Sequence, residues 1–328
     1  MKTISSGWKM FTAGFEGRIQ LRWPMLLVAA WLTGCASMID AGEDLQDTGF
    51  VAANMDWRAG RLERLTAPYG YLSLTGFELL EPGATTLGSA PDNDIRMDRG
   101  PARWGVLHLD AGGGEVRFDN AAPKQVLIDG EHRSEVWMDP EQPTTLQVDG
   151  IHAHLVTPGG RPALRVRDPR SPTRAQFVGL DYFDLDRSWR IEGEFLANPP
   201  GATLPIANVL GQLIDEPNPG RVRFERQGQT FELDAVAASD GRLFFILADR
   251  TSGRETYGLG RFLYADPPDP HGRVLIDLNQ AYNPPCAFSA YTTCPLPPPQ
   301  NRLDVHIRAG ERKYSGKPGI EKPALPRT

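Results

Sequence analysis

The chain of 328 residues carries 35 Lys and Arg against 41 Asp and Glu, a net charge of −6, with 40% hydrophobic residues, 34 glycines and 29 prolines. Its basic residues stand singly among acids, as in RVRDPR at 165–170, so no phosphate-tracking stripe exists and nucleic acid is not an expected partner. The apolar content suffices for two domains with separate cores.

At the N-terminus Lys2, Lys9, Arg18 and Arg22 precede an apolar run from Met25 to Leu32 that ends in Leu32-Thr33-Gly34-Cys35. The run is far below the roughly 20 residues that a helix needs to cross a bilayer, so residues 1–34 read as a signal peptide. The pattern resembles a bacterial lipobox. That resemblance implies cleavage before Cys35, a thioether-linked diacylglycerol on its sulfur and acylation of the new amino group, and more than one buried chain makes such an anchor stable. The lipid bilayer is thus an expected partner. Because Ala36 and Ser37 are not acidic, the expected address in the cell envelope is the outer membrane, facing the periplasm. Cleavage takes the net charge to about −9, and residues 35–46 form a linker from the anchor.

From Asp47 to Leu65 the residues Phe50, Trp57, Leu62 and Leu65 share one helical face and Pro68 ends the pattern, which predicts a short lead-in helix. Short runs rich in Val, Ile, Leu and Phe follow, each broken by Gly, Pro, Asp or Asn: YLSL, DIRM, GVLHLD, EVRFD, EVWM, TLQVDG, IHAHLVT and ALRVRD. This spacing predicts an antiparallel sandwich which, with the helix, spans 47–166. The prolines of RDPRSPTR at 167–174 mark a linker. A second strand series, with WRIEGEFL, RVRFERQG, QTFELDAV, RLFFILAD, YGLGRFLYA and RVLIDLN, makes a barrel-like antiparallel domain over 175–314, and 315–328 read as a disordered tail.

Within the first series, LGSAPDNDIRMDRGPARWGVLHLD at 87–110 resembles the forkhead-associated sandwich, with Asn93, Asp94 and His108 matching in kind. Ser89 stands where that pattern has an Arg, and Pro101, Ala102 and Arg103 stand where it has a Ser. A phosphate needs several charge-assisted donors, so the likeness implies a fold and not phosphopeptide binding. The fold class is accordingly mainly β, a forkhead-associated-like sandwich followed by a second antiparallel, barrel-like domain.

His152 and His154 alternate along one strand, as two metal ligands would, without a third ligand nearby. Asp181, Asp184 and Asp186 lack the glycine and the bidentate Glu of a calcium loop. No metal and no cofactor is expected.

The stretch AYNPPCAFSAYTTCPLPPPQNRL at 281–303 gathers two cysteines, paired amides and aromatics and a dense set of prolines. Prolines withhold backbone donors, so such a run reads as a rigid functional loop rather than a strand or helix. With FVGLDYFDLDRSWRIEGEF at 177–195 and ILADRTSGRETYGLGRFL at 246–263, this motif resembles an uncharacterised bacterial and archaeal family. The resemblance implies a shared fold and site and brings no activity with it.

Candidate ligand-binding residues cluster around that loop. Asp277, Asn279, Tyr282 and Asn283 lie at its entrance, Asn301, Arg302 and Glu311 on its return, and Asp249, Thr251, Tyr257 and Arg261 in the preceding hairpin. Converging, they would suit a small polar or anionic ligand; paired with one another, they would pin the loop. Cys286 and Cys294 are expected as a disulfide, worth roughly 2–3 kcal/mol by loop closure in an oxidising compartment; a Cys286 nucleophile would need His271 or His306 as base.

Three functions stay open. The first is an envelope protein that binds a small polar ligand or another envelope protein at the proline loop. The second is a hydrolase using Asp277, Glu311 or Cys286, and the third is a purely structural role. No Walker loop, Rossmann fingerprint, GxSxG elbow or HExxH is present.

Overall fold

The computed structural model describes residues 41–317, with side chains from Thr48 onward. The signal peptide, Cys35 with its expected acylation and the tail beyond Lys317 lie outside the described residues. The interactions described below belong to the compact unit that begins at Leu45. No helix among the described residues is long and apolar enough to cross a membrane.

Helix α1 (Ala41–Thr66) matches the expected lead-in helix and reaches further back. Its buried residues are Phe50, Asn54, Arg61 and Leu65, spaced so that they share one face. Leu62, an apolar residue of the sequence pattern, is exposed. The buried face is therefore half polar, and its polar members meet the second half of the chain: Asn54 Nδ2 donates to Asp277 Oδ2 at 3.2 Å and Arg61 Nε to Glu311 Oε1 at 2.9 Å.

The sandwich is built from β1 (Leu74–Leu79), β2 (Gly83–Gly88), β3 (Ile95–Arg96), β4 (Gly105–Leu109), β5 (Val116–Asn120), β6 (Leu127–Ile128), β7 (Glu135–Met138), β8 (Thr145–Val148), β9 (Ile151–Val156) and β10 (Ala163–Arg167). They form two five-stranded sheets in the orders β1-β10-β9-β8-β6 and β3-β2-β4-β5-β7. All pairings are antiparallel except β2 with β3. Alternate residues face inward, as in Gly105, Leu107 and Leu109 of β4. Trp104 and Phe118 at 0% exposure anchor one shared core with Leu146, Leu155 and Leu164; each such side chain contributes about 1.5–3 kcal/mol by leaving water. Asp149 and Gly150, with φ of 48° and 78°, make the two-residue turn from β8 to β9, which the dipeptide DG announces.

Asn93 Nδ2 donates to the carbonyls of Ala90 and Ala102, Asp94 accepts from the backbone N–H and hydroxyl of Thr86, and His108 sits 3.0 Å from Asp119. These residues hold turns and strand edges. The described residues show a two-sheet sandwich. Between the two strand series, Ser171 caps the short helix α2 (Pro172–Ala175) and donates to Leu72 O at 2.5 Å, so 167–174 is packed backbone.

The second series forms β11 (Arg190–Ala197), β12 (Thr203–Ala207), β13 (Leu213–Pro217), β14 (Gly220–Arg226), β15 (Gln229–Ala237), β16 (Leu243–Leu247), β17 (Arg261–Ala265) and β18 (Arg273–Asp277). Six of them order as β17-β16-β15-β14-β11-β18, and β12 with β13 makes a separate hairpin. β15 pairs with β14 from Gln229 to Ala235 and with β16 only at Val236 and Ala237. The sheet bends there and curls into a half-barrel, as the expected barrel-like domain. Phe245, Leu263, Val274 and Ile276 fill its interior, and Leu303, Ile307 and Ala309 from the segment after the proline loop pack into the same core.

Candidate functional site

The loop from 281 to 303 is tied down at several points. Tyr282 and Phe262 exchange two backbone hydrogen bonds of 2.9 Å, Leu296 N donates to Ala207 O and Leu303 N to Ala248 O, each at 2.8 Å. Two 3-10 turns, Pro285–Ala287 and Pro299–Asn301, use prolines where no donor is needed. Phe288 packs at 0% exposure with Leu65 of α1 and Leu72 beside the sandwich. The loop is a rigid wedge between α1 and the two strand series.

Most of the candidate side chains are consumed in holding this wedge. Arg261 and Asp249 form a fully buried ion pair at 2.8 Å. The guanidinium also donates to Ile307 O at 2.9 Å and to Ala309 O. Asp249 Oδ1 accepts from Thr251 N and Oγ1 at 2.7 and 2.6 Å. Burial weakens the hold of Arg261 on its proton and Asp249 opposes that shift. Gly260, at φ +92°, lets the chain pass Pro297 and Leu247 O where a Cβ would lie 2.4 and 2.6 Å away, and so delivers Arg261.

A second hub centres on Glu311. Its Oε1 accepts from Arg61 Nε at 2.9 Å and its Oε2 from Asn283 N at 2.8 Å, while Arg61 Nη2 donates to Asn283 O at 2.9 Å and Asn283 Nδ2 to Arg312 O at 2.7 Å. Gly310, at φ +78° against Ala281 O, makes the turn that aims Glu311 inward. A third hub joins Asp277 to Asn279 Nδ2 at 2.9 Å and Asn54, with Asn279 bonded in turn to the backbone of Asp186. Asn301 spans Asp234 and Ile246, Tyr257 packs in the apolar cluster with Phe288, and Arg302 is exposed. The sequence-derived residues thus gather at separate buried hubs rather than around one opening.

Two openings lie alongside, beneath α1. A cavity of about 630 Å³ is lined by Trp57, Arg61 and Arg64 of α1, Tyr71, Arg242, Phe244, Phe262, Tyr264, Gln280, Tyr282, Pro285 and Pro295. Of the candidate residues, Tyr282 alone reaches it. Arg61 lies 4.5 Å above the Tyr282 ring and Arg242 4.3 Å above that of Tyr264, contacts of cation–π type. Burial raises the pKa of both phenols, so each stays protonated near neutrality. Arg64 makes no ion pair among the described residues. An adjoining cavity of about 490 Å³ holds Asp277 on its wall. Sequence reasoning missed the α1 residues because polar side chains on a helix default to solvent, and missed Phe244 and Tyr264 because aromatic residues in strands default to core.

Cys286 and Cys294, expected as a disulfide, are thiols with no S–S bond. The Cys286 N–H donates to Cys294 Sγ at 3.1 Å and Cys286 Sγ lies 2.7 Å from Thr292 Oγ1. The two side chains hydrogen-bond each other, and that bond, with burial, pushes the Cys294 pKa up. The loop is closed by these contacts without a covalent link.

No curated protein matches the chain. The solution structure of an uncharacterised protein from Haloarcula marismortui is 29% identical over 44% of this chain and 82% of that one, with a TM-score of 0.37. Residues 175–312, which include the half-barrel and the proline loop, match the model of the family described as "Protein of unknown function (DUF1684)".

Proposed function

We propose that this chain binds a small anionic ligand with a flat face in the cavity of about 630 Å³ beneath α1. One observation carries the reading: six aromatic rings and three arginines line that cavity and no carboxylate does. Such walls stack on a flat group and attract negative charge together, and the volume is that of ordinary ligand sites. Arg64 is the cation with charge to spare, because Glu311 engages Arg61 and Asp240 engages Arg242.

The test is a calorimetric titration of the chain with small aromatic carboxylates such as benzoate. Binding weakened about tenfold or more by Arg64→Gln and by Tyr282→Leu, in variants that keep the parent melting temperature, is the expected result. Absence of binding, or binding indifferent to both substitutions, contradicts it.

The same proposal places the chain in the cell envelope, anchored through acylated Cys35 in the outer membrane and facing the periplasm. The lipobox-like Leu32-Thr33-Gly34-Cys35 supports this. Mass spectrometry of the mature chain should find Ala36 preceded by a diacylglyceryl cysteine, and an unmodified terminus upstream of Cys35 contradicts it. In that oxidising compartment Cys286 and Cys294 pass from adjacent thiols to a disulfide, two thiols reducing a small-molecule disulfide to two thiols as the new S–S bond forms.

A further inference from the structure

The outer face of the sheet β1-β10-β9-β8-β6 gathers positive charge. Leu164 and Val166 of β10 and Ala153 and Leu155 of β9 point into the sandwich core, so Arg165, Arg167, His152 and His154, which alternate with them, point outward. In the ladder Arg165 stands directly opposite His154 and Arg167 directly opposite His152. Thr145 and Gln147 of β8 follow on the far side of the two histidines. The two rows lie about 6.6 Å apart along each strand and the strands about 4.8 Å apart, so two guanidinium groups and two imidazoles share one small patch. All four side chains are half-buried.

Among the described residues no carboxylate pairs with any of the four. Arg165 Nε is buried with no hydrogen-bond partner, and its guanidinium lies 5.9 Å from the centre of the Phe77 ring. Arg167 donates to the carbonyls of Tyr69 and Gly70 and lies 5.9 Å from the centre of the Tyr71 ring. Tyr69 in turn stacks on His152 with 3.8 Å between ring centres. These contacts hold the groups in place and neutralise none of them. Burial lowers the His154 pKa, and Arg167, Arg165 and His152 lower it further; burial and Arg167 act on Arg165 in the same sense. Like charges directly opposite one another weaken a sheet, and a buried donor without an acceptor is costly. An anion seated on the patch offsets both.

We infer that this face of the sandwich binds a phosphate group. Arg165 and Arg167 bring forked, charge-assisted donors to its oxygens, and the His154 ring and the Thr145 hydroxyl add donors from the neighbouring strands. Because the strand ladder and the tyrosines already hold the donors, little ordering remains to be done on binding. None of the four residues lines the cavity beneath α1, so this is a second site and stands apart from the first. The group arrives either as free phosphate or as the monoester of a small molecule, since both present the same doubly charged, tetrahedral set of oxygens.

The experiment titrates the full chain by calorimetry with inorganic phosphate and, separately, with glycerol 3-phosphate, at constant ionic strength. At least one probe is expected to bind, and Arg165→Gln should weaken it tenfold or more while leaving the melting temperature of the free chain unchanged or higher, because a repulsive contact is removed. His154→Gln is a second variant expected to weaken binding. Proton NMR should show the His154 titration moving to higher pH when the probe is present. Binding of inorganic phosphate supports the site with the free ion as its ligand, and binding of glycerol 3-phosphate alone supports it with a monoester. Failure of both probes, or binding indifferent to both substitutions, overturns the inference.

Discussion

Arg61 and Glu311 lie 250 residues apart in sequence and meet in a buried ion pair at 2.9 Å, the arginine side chain 8% and the glutamate 0% exposed. The pair fixes α1 across the end of the proline loop, and it holds Arg61 over Tyr282 on the cavity wall. Structure and candidate site therefore depend on the same contact. Removing one partner of a buried pair leaves an uncompensated charge, which costs about 3–5 kcal/mol. Glu311→Gln should destabilise by that amount in chemical denaturation, and amide exchange should rise first in residues 50–65 of α1. Exchange that rises evenly across the chain would argue against a clamp on the helix.

The Arg261–Asp249 pair is predicted to behave as one unit. Arg261→Met and Asp249→Asn should each cost about 3–5 kcal/mol, because each strands the other charge at 0% exposure. The double variant should cost clearly less than the sum of the two, and a double-mutant cycle measures the difference. Strict additivity would show that the backbone carbonyls of Ile307 and Ala309, rather than Asp249, stabilise the guanidinium.

Much of the fold was legible. Alternating runs such as GVLHLD, and turns such as Asp149-Gly150, declared the antiparallel strands, because strand period and positive-φ turns leave direct marks in sequence. The proline loop also stood out, since a proline run must give up ladder bonds. The pairings around it were not legible. Asp249 meets Arg261 twelve residues on, whereas Glu311 reaches Arg61 on a helix that the sequence assigned to the sandwich side of the chain. Nothing local in sequence records which charge meets which across such separations. The cavity was hidden for a related reason: its walls come from α1, from Tyr71 beside the sandwich and from the outer faces of β16 and β17, all far apart in sequence.

The cysteine pair gives a redox prediction. The bond to Cys286 and burial keep the Cys294 thiol protonated, so iodoacetamide at pH 8 should label it slowly in the folded chain and fast in denaturant. Incubation with oxidised glutathione should join Cys286 to Cys294. A stable mixed disulfide at either position, with no internal bond, would contradict the side-by-side arrangement.

A pH effect should come from the first strand series. Burial, with Arg167 and Arg165 close by, lowers the His154 pKa from 6.5 to about 4, so the folded chain holds this ring neutral. Between about pH 6.5 and 4 the unfolded chain takes up the proton that the folded chain refuses, and stability falls as pH drops through that window. The loss should be about 1–2 kcal/mol for a partly screened ring. His154→Gln should flatten the decline, which denaturation at a series of pH values would measure, and an unchanged slope would assign it to other groups.

The central claim, a cavity beneath α1 that holds a small anion, is tested most directly by native mass spectrometry of the chain isolated from its own host, before and after addition of benzoate. A bound small anion, present on isolation or acquired on addition and lost in Arg64→Gln and Tyr282→Leu variants, is the predicted result. A bare mass in both samples, or binding that survives both substitutions, would contradict it.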